Sequence, residues 1–424
     1  MIFALIVVPV LGLFVGVHRY LWCRLVRDTT TPGSRLRRTG TAAAFVLPLT
    51  TLAALPAERA GAPFPLQQAL AWPGYLWLAL VLYLTLALLV GEVVRAVGLR
   101  ALRDREPAEG APSAAAPAPA PSPDPPRAPA PSSAPTLLPP RTPALPPLAV
   151  PPRRLFLARA VAAGASLAAT AAVGYGTAAT LRGPAVKRVT VPLAKLPRAA
   201  HGFRIAVVSD IHLGPILGRA HTRRVVETIN RTDPDLVAIV GDLVDGSVAD
   251  LAPAAEPLRG LRSRHGAYFV TGNHEYYSGA APWVDHIREL GIHPLENART
   301  ELPGFDLAGV NDVTGQTEHA GPDYDLALGG RDPSRAVVLM AHQPVTIHDT
   351  VRFGVDLQLS GHTHGGQMWP FTYVAAATNP TVAGLERYGD TQLYVTRGAG
   401  AWGPPVRLGA PPDVTVVELA SLRA

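Results

Sequence analysis

The stretch FRIAVVSDIHLG, Phe203 to Gly214, joins a short apolar run to two polar side chains, Asp210 and His212. Ile205 to Val208 reads as a buried strand. The same pattern recurs four times. LVAIVGDLVDG carries Leu236 to Val240 and then Asp242, and AYFVTGNHEYY carries Tyr268 to Val270 and then Asn273 and His274. AVVLMAHQP runs from Val337 to Met340 into His342, and VDLQLSGHTHGG runs through Leu357 to Leu359 into His362 and His364. In α/β sheets, ligand sites collect beyond the carboxyl ends of strands. One Asp after a strand is often only a helix cap. Five strands that all end in oxygen or imidazole donors are more than capping explains. The donors include no thiolate, which suits hard or borderline divalent cations rather than a cysteine-held structural zinc. Glycines beside His362 and His364 let the backbone come close to an ion or substrate.

Asp210-Ile211-His212, Gly241-Asp242-Leu243-Val244-Asp245, Gly272-Asn273-His274-Glu275, His342 and Gly361-His362-Thr363-His364 occur in that order. This series resembles the motifs of the calcineurin-like metallophosphoesterase superfamily, over about residues 204–417, and the tail LYVTRGAGAWGPPVRLGAPPDVTVVEL resembles its membrane-anchored bacterial subgroup. The resemblance implies an α/β fold, a four-layer αββα sandwich around two divalent metal ions (Mn, Zn, Fe or Mg). It also implies the ligand sets. One ion would take Asp210, His212, His364 and a bridging Asp242; the other would take Asp242, Asn273, His342 and His362. A carboxylate suits the bridge because its charge offsets the repulsion between cations. Two such ions can lower the pKa of a shared water and clamp the oxygens of an in-line displacement at phosphorus. His274 matches the family's position for a histidine that protonates the leaving group or stabilises transition-state charge; its alternative role is to orient Asn273. Asp245 is a candidate support for the Asp242 loop. Protein Ser/Thr phosphatases of the superfamily continue this motif with Arg-Gly, whereas Gly246 and Ser247 follow here, which argues against a phosphoprotein substrate. Arg397 and Arg407 suit either phosphate contacts or structural ion pairs.

The chain has 424 residues and a formal net charge of +6, unevenly divided. Residues 1–182 carry 17 Lys+Arg against 7 Asp+Glu, a net of +10, and residues 183–424 carry 21 against 25, a net of −4. The region with the motifs therefore has no positive excess to attract a nucleic-acid backbone. It holds 12 of the 13 histidines. Cys23 is the only cysteine, so no internal disulfide is possible.

The first 105 residues suit lipid. Met1 to Val17, Thr39 to Ala57 and Ala69 to Gly91 are uncharged and mostly apolar, the last rich in Leu, Val, Trp and Tyr, and read as three membrane helices. Each approaches or exceeds the roughly 17–25 residues of a membrane-spanning helix. Arg19, Arg24, Arg27, Arg35, Arg37 and Arg38 lie between the first two runs, and Arg95, Arg100, Arg103 and Arg105 follow the third. Only Arg59 lies between the second and third. The positive-inside rule then places the two basic segments in the cytoplasm. Residues 106–152 are rich in Pro, Ala and Ser and hold 18 of the 44 prolines, as expected of an extended spacer. In residues 153–182, Arg153-Arg154-Leu155-Phe156-Leu157 precedes an uncharged stretch. This is either a signal read by twin-arginine export machinery or a fourth transmembrane helix with basic flanks. Both place residues 189–424, the metallophosphoesterase-like domain, on the extracytoplasmic side of the cell membrane.

The expected function is hydrolysis of a phosphomonoester or phosphodiester on a small-molecule or lipid-linked substrate, nucleotide sugars included, with no nucleic-acid partner. Ile216, Leu217, Trp369, Phe371 and Trp402 are candidates either for an acyl pocket or for ordinary core. A non-catalytic metal-binding sensor or scaffold is the alternative, and the complete ligand set argues against it.

Overall fold

A computed structural model describes residues 2–103 and 153–422. The Pro-rich spacer expected at 106–152 lies outside the described residues. Four long helices come first: α1 (Ile2–Trp22), α2 (Arg35–Ala54), α3 (Phe64–Arg103) and α4 (Arg153–Arg182). Among described residues, two helical stretches are long and apolar enough to cross a membrane, Phe64–Val97 and Arg154–Arg182. The first turn of α2 carries Arg35, Arg37 and Arg38, and Ala and Thr fill much of the rest. The helices pack as a bundle with a small-residue crossing: Thr51 Oγ1 donates to Gly74 O at 2.8 Å. A Cβ at Gly74 would lie 2.8 Å from the Thr50 carbonyl, so only glycine allows α2 and α3 this close.

The strands and shorter helices follow as β1 (Ala185–Leu193), β2 (Phe203–Val208), α5 (Arg219–Asn230), β3 (Leu236–Val240), α6 (Val248–Ala255) and β4 (Ala267–Val270). Next come α7 (Asn273–Ser278), α8 (Ala280–Glu289), β5 (His293–Pro294), β6 (Ala298–Leu302), β7 (Phe305–Gly309), α9 (Tyr324–Leu328) and β8 (Ala336–Met340). The chain ends with α10 (Ile347–Thr350), β9 (Leu357–Ser360), α11 (Phe371–Thr378), β10 (Gly384–Tyr388), β11 (Thr391–Val395) and β12 (Asp413–Ser421). The strands form two six-stranded mixed sheets, in the orders β1-β12-β2-β3-β4-β5 and β10-β11-β9-β8-β7-β6.

Side-chain alternation along the strands sets the packing. Ala206 and Val208 of β2, with Val237 and Ile239 of β3, join a buried cluster with Val225 and Ile229 of α5 and Trp283 of α8. Their neighbours Ile205, Val207, Leu236 and Ala238 turn the other way, into a cluster with Val338 and Met340 of β8 and Leu357 and Leu359 of β9. A strand buried on both faces has no polar alternation, which is why these runs read as continuously apolar. Val337 and Leu339 of β8 face a third cluster with Ala327 and Leu328 of α9. The fold class is α/β, as expected.

β2, β3 and β4 are mutually parallel, as are β8 and β9. Within each sheet the carboxyl ends point the same way, and the His362 N–H donating to Asp210 Oδ1 at 3.0 Å joins the two sets on one rim. β1 starts three residues after α4 ends and pairs in parallel with β12, so the bundle and the sheet domain are joined by a very short connection.

Candidate metal centre

The loops after the five strands are held by backbone bonds across the rim. Asp210 N donates to Gly241 O at 3.0 Å, His212 N to Asp242 O at 3.2 Å, and Gly361 N to His342 O at 2.9 Å. Glycine is required at two of these crossings. A Cβ on Gly272 would run into the Asp242 carboxylate, and one on Gly361 would lie 2.5 Å from Asp210 Oδ2. The turns are also strained. Nine non-glycine residues among those described have positive φ, and five are candidate ligands: Asp210 (49°), His212 (49°), Asp242 (54°), His362 (72°) and His364 (53°). Such conformations cost roughly 1–3 kcal/mol each and gather at functional sites.

The seven expected ligands come together. Asp210, His212 and His364 form one group and Asp242, His342 and His362 another, each with its donor atoms within 4.8 Å of one another. Asn273 joins the second group, its Oδ1 3.0 Å from His362 Nδ1. His212 Nε2 and His364 Nε2 are likewise 3.0 Å apart. Two cis ligands about 2.1 Å from a shared ion have about this separation. Asp242 Oδ2 lies 3.0 Å from His342 Nε2 and 3.9 Å from His212 Nε2, between the two groups.

The chemistry of the donors fits divalent ions. His342 Nδ1 lies 2.8 Å from the Val240 carbonyl, so it carries the ring proton and leaves the Nε2 lone pair facing Asp242. That buried nitrogen finds no hydrogen-bond donor, only the Asp242 carboxylate 3.0 Å away. Burial lowers the affinity of His342 for a second proton, but the Asp242 charge outweighs it and raises the pKa well above the usual range. The pair thus calls for a buried cation, which a metal ion supplies in place of a proton. Burial, reinforced by His342, lowers His362 to about 4, and burial with Arg407 holds His364 well below the ordinary value. Both rings are neutral, as ligands must be. His364 has one peculiarity. Arg407 Nη2 lies 3.0 Å from its Nδ1, and a guanidinium only donates. The neutral ring of His364 therefore carries its proton on Nε2, 3.0 Å from His212 Nε2.

Asp245 does more than support the Asp242 loop. Its carboxylate lies 3.1 Å from His212 Nδ1 and 2.6 Å from His274 Nδ1, so it fixes both rings. Burial would raise the Asp245 pKa, but the two histidines bring it down to about 2. Burial would lower His274, but the Asp245 hydrogen bond and charge raise it to about 9, leaving the ring charged at neutral pH. His274 lies beside the two ligand groups, and its backbone N–H donates to Asp242 Oδ1 at 2.9 Å.

Arg407 takes the structural role of the two considered. Its fully buried guanidinium donates to Gly400 O (2.7 Å), His364 O (2.8 Å) and Arg397 O (2.8 Å), which locks the His364 turn and leaves nothing for substrate. Glu275 is a residue whose role sequence reading missed. Its buried carboxylate accepts from the N–H groups of Gly272 (2.6 Å), Leu243 (2.7 Å) and Asp242 (2.9 Å). The signal was its spacing, a glutamate at the third position of a helix entered from a glycine. Replacing it by Ala strands three buried donors at about 1–3 kcal/mol each. Glu275→Ala is expected to lower the thermal midpoint steeply, and Glu275→Gln, which retains one acceptor oxygen, by less; differential scanning fluorimetry checks both.

Among the acyl-pocket candidates, Ile216, Leu217 and Trp402 line a cavity beside His274 together with Leu55, Arg59 and Tyr75 of the α2–α3 hairpin. Trp369 and Phe371 do not line it and are 48% and 45% exposed.

A family model described as calcineurin-like phosphoesterase matches residues 203–366. An uncharacterized metallophosphoesterase of Bacillus subtilis is 31% identical over 283 residues, covering 63% of this chain and 98% of the relative. One from Aquifex aeolicus is 33% identical, covering 55% of this chain and 91% of the relative. The chain belongs to the calcineurin-like metallophosphoesterase family. A Danio rerio protein called a transmembrane protein with metallophosphoesterase domain is 38% identical, covering 58% of this chain. The chain spans 59% of that relative's length and 57% of a Bos taurus protein of the same name. Membrane association is supported both by these relatives and by the two long apolar helices.

Proposed function

We propose that this protein is a membrane-anchored phosphoesterase that uses two divalent metal ions and faces the extracytoplasmic side. The observation that carries the reading is the convergence of two donor groups on Asp242 at the ends of five strands. Asp210, His212, His364 and Asp242 would hold one ion, and Asp242, Asn273, His342 and His362 the other. When bound, the ions supply an activated water and neutralise charge on the phosphoryl oxygens. The chain's own groups do the rest. Glu275 and Arg407 hold the ligand turns in their left-handed conformations. Asp245 keeps His212 turned with Nε2 toward the site, and it holds the charged His274 where a leaving-group oxygen would collect a proton. The test is hydrolysis of a panel of phosphomonoesters and phosphodiesters by the full chain in detergent, with and without Mn²⁺, Zn²⁺ or Mg²⁺. Metal-dependent hydrolysis supports the proposal; inactivity toward every ester with metal bound counts against it.

Sidedness is supported by the bundle. Arg24 pairs with Glu92 at 2.6 Å, Arg95 with Glu92 at 2.8 Å, and Arg159 donates to Thr29 O at 2.9 Å, which gathers basic groups at one end. Tyr75, at the cavity, and Glu92 are 17 residues apart on α3, or about 26 Å at 1.5 Å per residue. The basic end and the catalytic domain thus sit at opposite ends, as the positive-inside rule requires of a domain outside the cytoplasm. A reporter fused after residue 190 is expected outside. Changing Arg153 and Arg154 to Lys keeps the charge but alters the geometry that a twin-arginine receptor reads. Loss of export in the Lys-Lys variant would assign the pair to that receptor, and normal export would leave α4 as an ordinary fourth span.

A further inference from the structure

The cavity beside His274 is not made by the catalytic domain alone. It has a volume of ≈ 310 Å³, with Leu55, Arg59, Tyr75 and Leu78 of the α2–α3 hairpin on one wall and Ile216 and Trp402 of the domain on the other. His212, Asp245 and His274 form its inner end, so the space runs from the candidate metal centre to the membrane helices. Resting on the phosphoesterase reading above, we propose that the substrate is a membrane amphiphile. It would be a phosphate ester whose acyl or alkyl chain lies between the hairpin and the domain while its phosphate reaches the metal centre.

Three observations carry this substrate class over a soluble one. On the hairpin side, Ala54, Leu55, Ala57, Ala71 and Leu78 give a chain apolar contacts, and Glu58, Arg59, Gln67 and Tyr75 are the polar groups there. Arg59 is the only Lys or Arg that lines the cavity, and residues 183–424 carry a net charge of −4. A dissolved anion would meet no basic funnel there, whereas an ester already in the bilayer needs no electrostatic steering. The flank of the domain is also built for the bilayer surface. Met368, Val406 and Leu408 pack among side chains of α1, α3 and α4. Just beyond Met368, α11 has no buried residue and exposes Phe371, Tyr373 (70%) and Val374 (57%), with Trp369 before it; Trp402 (60%) lies four residues before Val406. Aromatic side chains next to spanning helices favour the headgroup level of a membrane. Exposed to water, the same patch would be an unexplained apolar surface.

The test uses the full chain in lipid nanodiscs with Mn²⁺ added. Rates on phosphatidic acid are compared with those on glycerol 3-phosphate, its counterpart without chains. Phosphatidylglycerol and glycerophosphoglycerol form the matching diester pair. The chain-bearing member of at least one pair is expected to be preferred by about 10-fold or more in kcat/KM, because several methylenes leave water on binding. Leu55→Asn and Ile216→Asn should each cut that preference about fivefold, since both side chains line the apolar wall. As a readout separate from turnover, phosphatidic acid with a diazirine in its acyl chain should crosslink to peptides covering residues 54–78 and 401–405. No preference in either pair, or crosslinks that avoid both segments, overturns the proposal. Metal-dependent hydrolysis of the soluble members would then leave the phosphoesterase reading standing. Inactivity toward all four esters removes both.

Discussion

Asp242→Asn is expected to release both metal ions together and reduce hydrolysis of every phosphate ester to near background. The substitution keeps the size of the side chain and removes one negative charge from a fully buried position. In the proposed centre Asp242 is the one side chain assigned to both ions, and its Oδ2 lies 3.0 Å from His342 Nε2 and 3.9 Å from His212 Nε2. Without its charge, two cations a few ångströms apart repel each other with nothing between them. Loss of one preorganised electrostatic group typically costs about 10²–10³-fold in rate, and loss of both ions should exceed that. Elemental analysis beside kinetics checks this. A variant with two ions and undiminished turnover would remove Asp242 from the bridge.

His274→Ala should behave differently, with metal content close to normal and turnover lower by about 10²–10⁴-fold, the range for general acid–base groups. The ring is charged near neutrality because Asp245 raises its pKa to about 9, and it belongs to neither ligand group proposed for the two ions. If it donates a proton to the departing oxygen, the loss should be largest for esters of alkyl alcohols. It should shrink for p-nitrophenyl esters, whose leaving group needs little protonation. An equal loss for both esters would assign His274 to transition-state charge rather than proton donation. Loss of metal in this variant would instead make it an orienting partner of Asn273.

The five strands and their terminal ligands were legible because each couples two independent signals. The apolar runs are short and unbroken, as strands buried between helices and a second sheet must be, and each ends in a donor within a few residues. The order of the motifs then fixed the family. Other features have no local signature. Arg407 could have met substrate or backbone, and only the closing of the Gly400 and His364 turns around it decides. The left-handed φ of His212 or Asp242 cannot be read from residue type, since neither is glycine. Asp245 was placed beside Asp242 by sequence, but its contact with His274 spans 29 positions and depends on how α7 leaves β4. The meeting of Leu55 and Tyr75 with Ile216 and Trp402 is more distant still.

The central claim is a dinuclear centre shared through Asp242, and anomalous X-ray diffraction from crystals of the full chain grown with Mn²⁺ tests it most directly. Two anomalous peaks roughly 3.5–4 Å apart are expected, one beside Asp210, His212 and His364 and one beside Asn273, His342 and His362, with Asp242 between them. A single peak on one group, or none at either group in protein that hydrolyses phosphate esters, would contradict it.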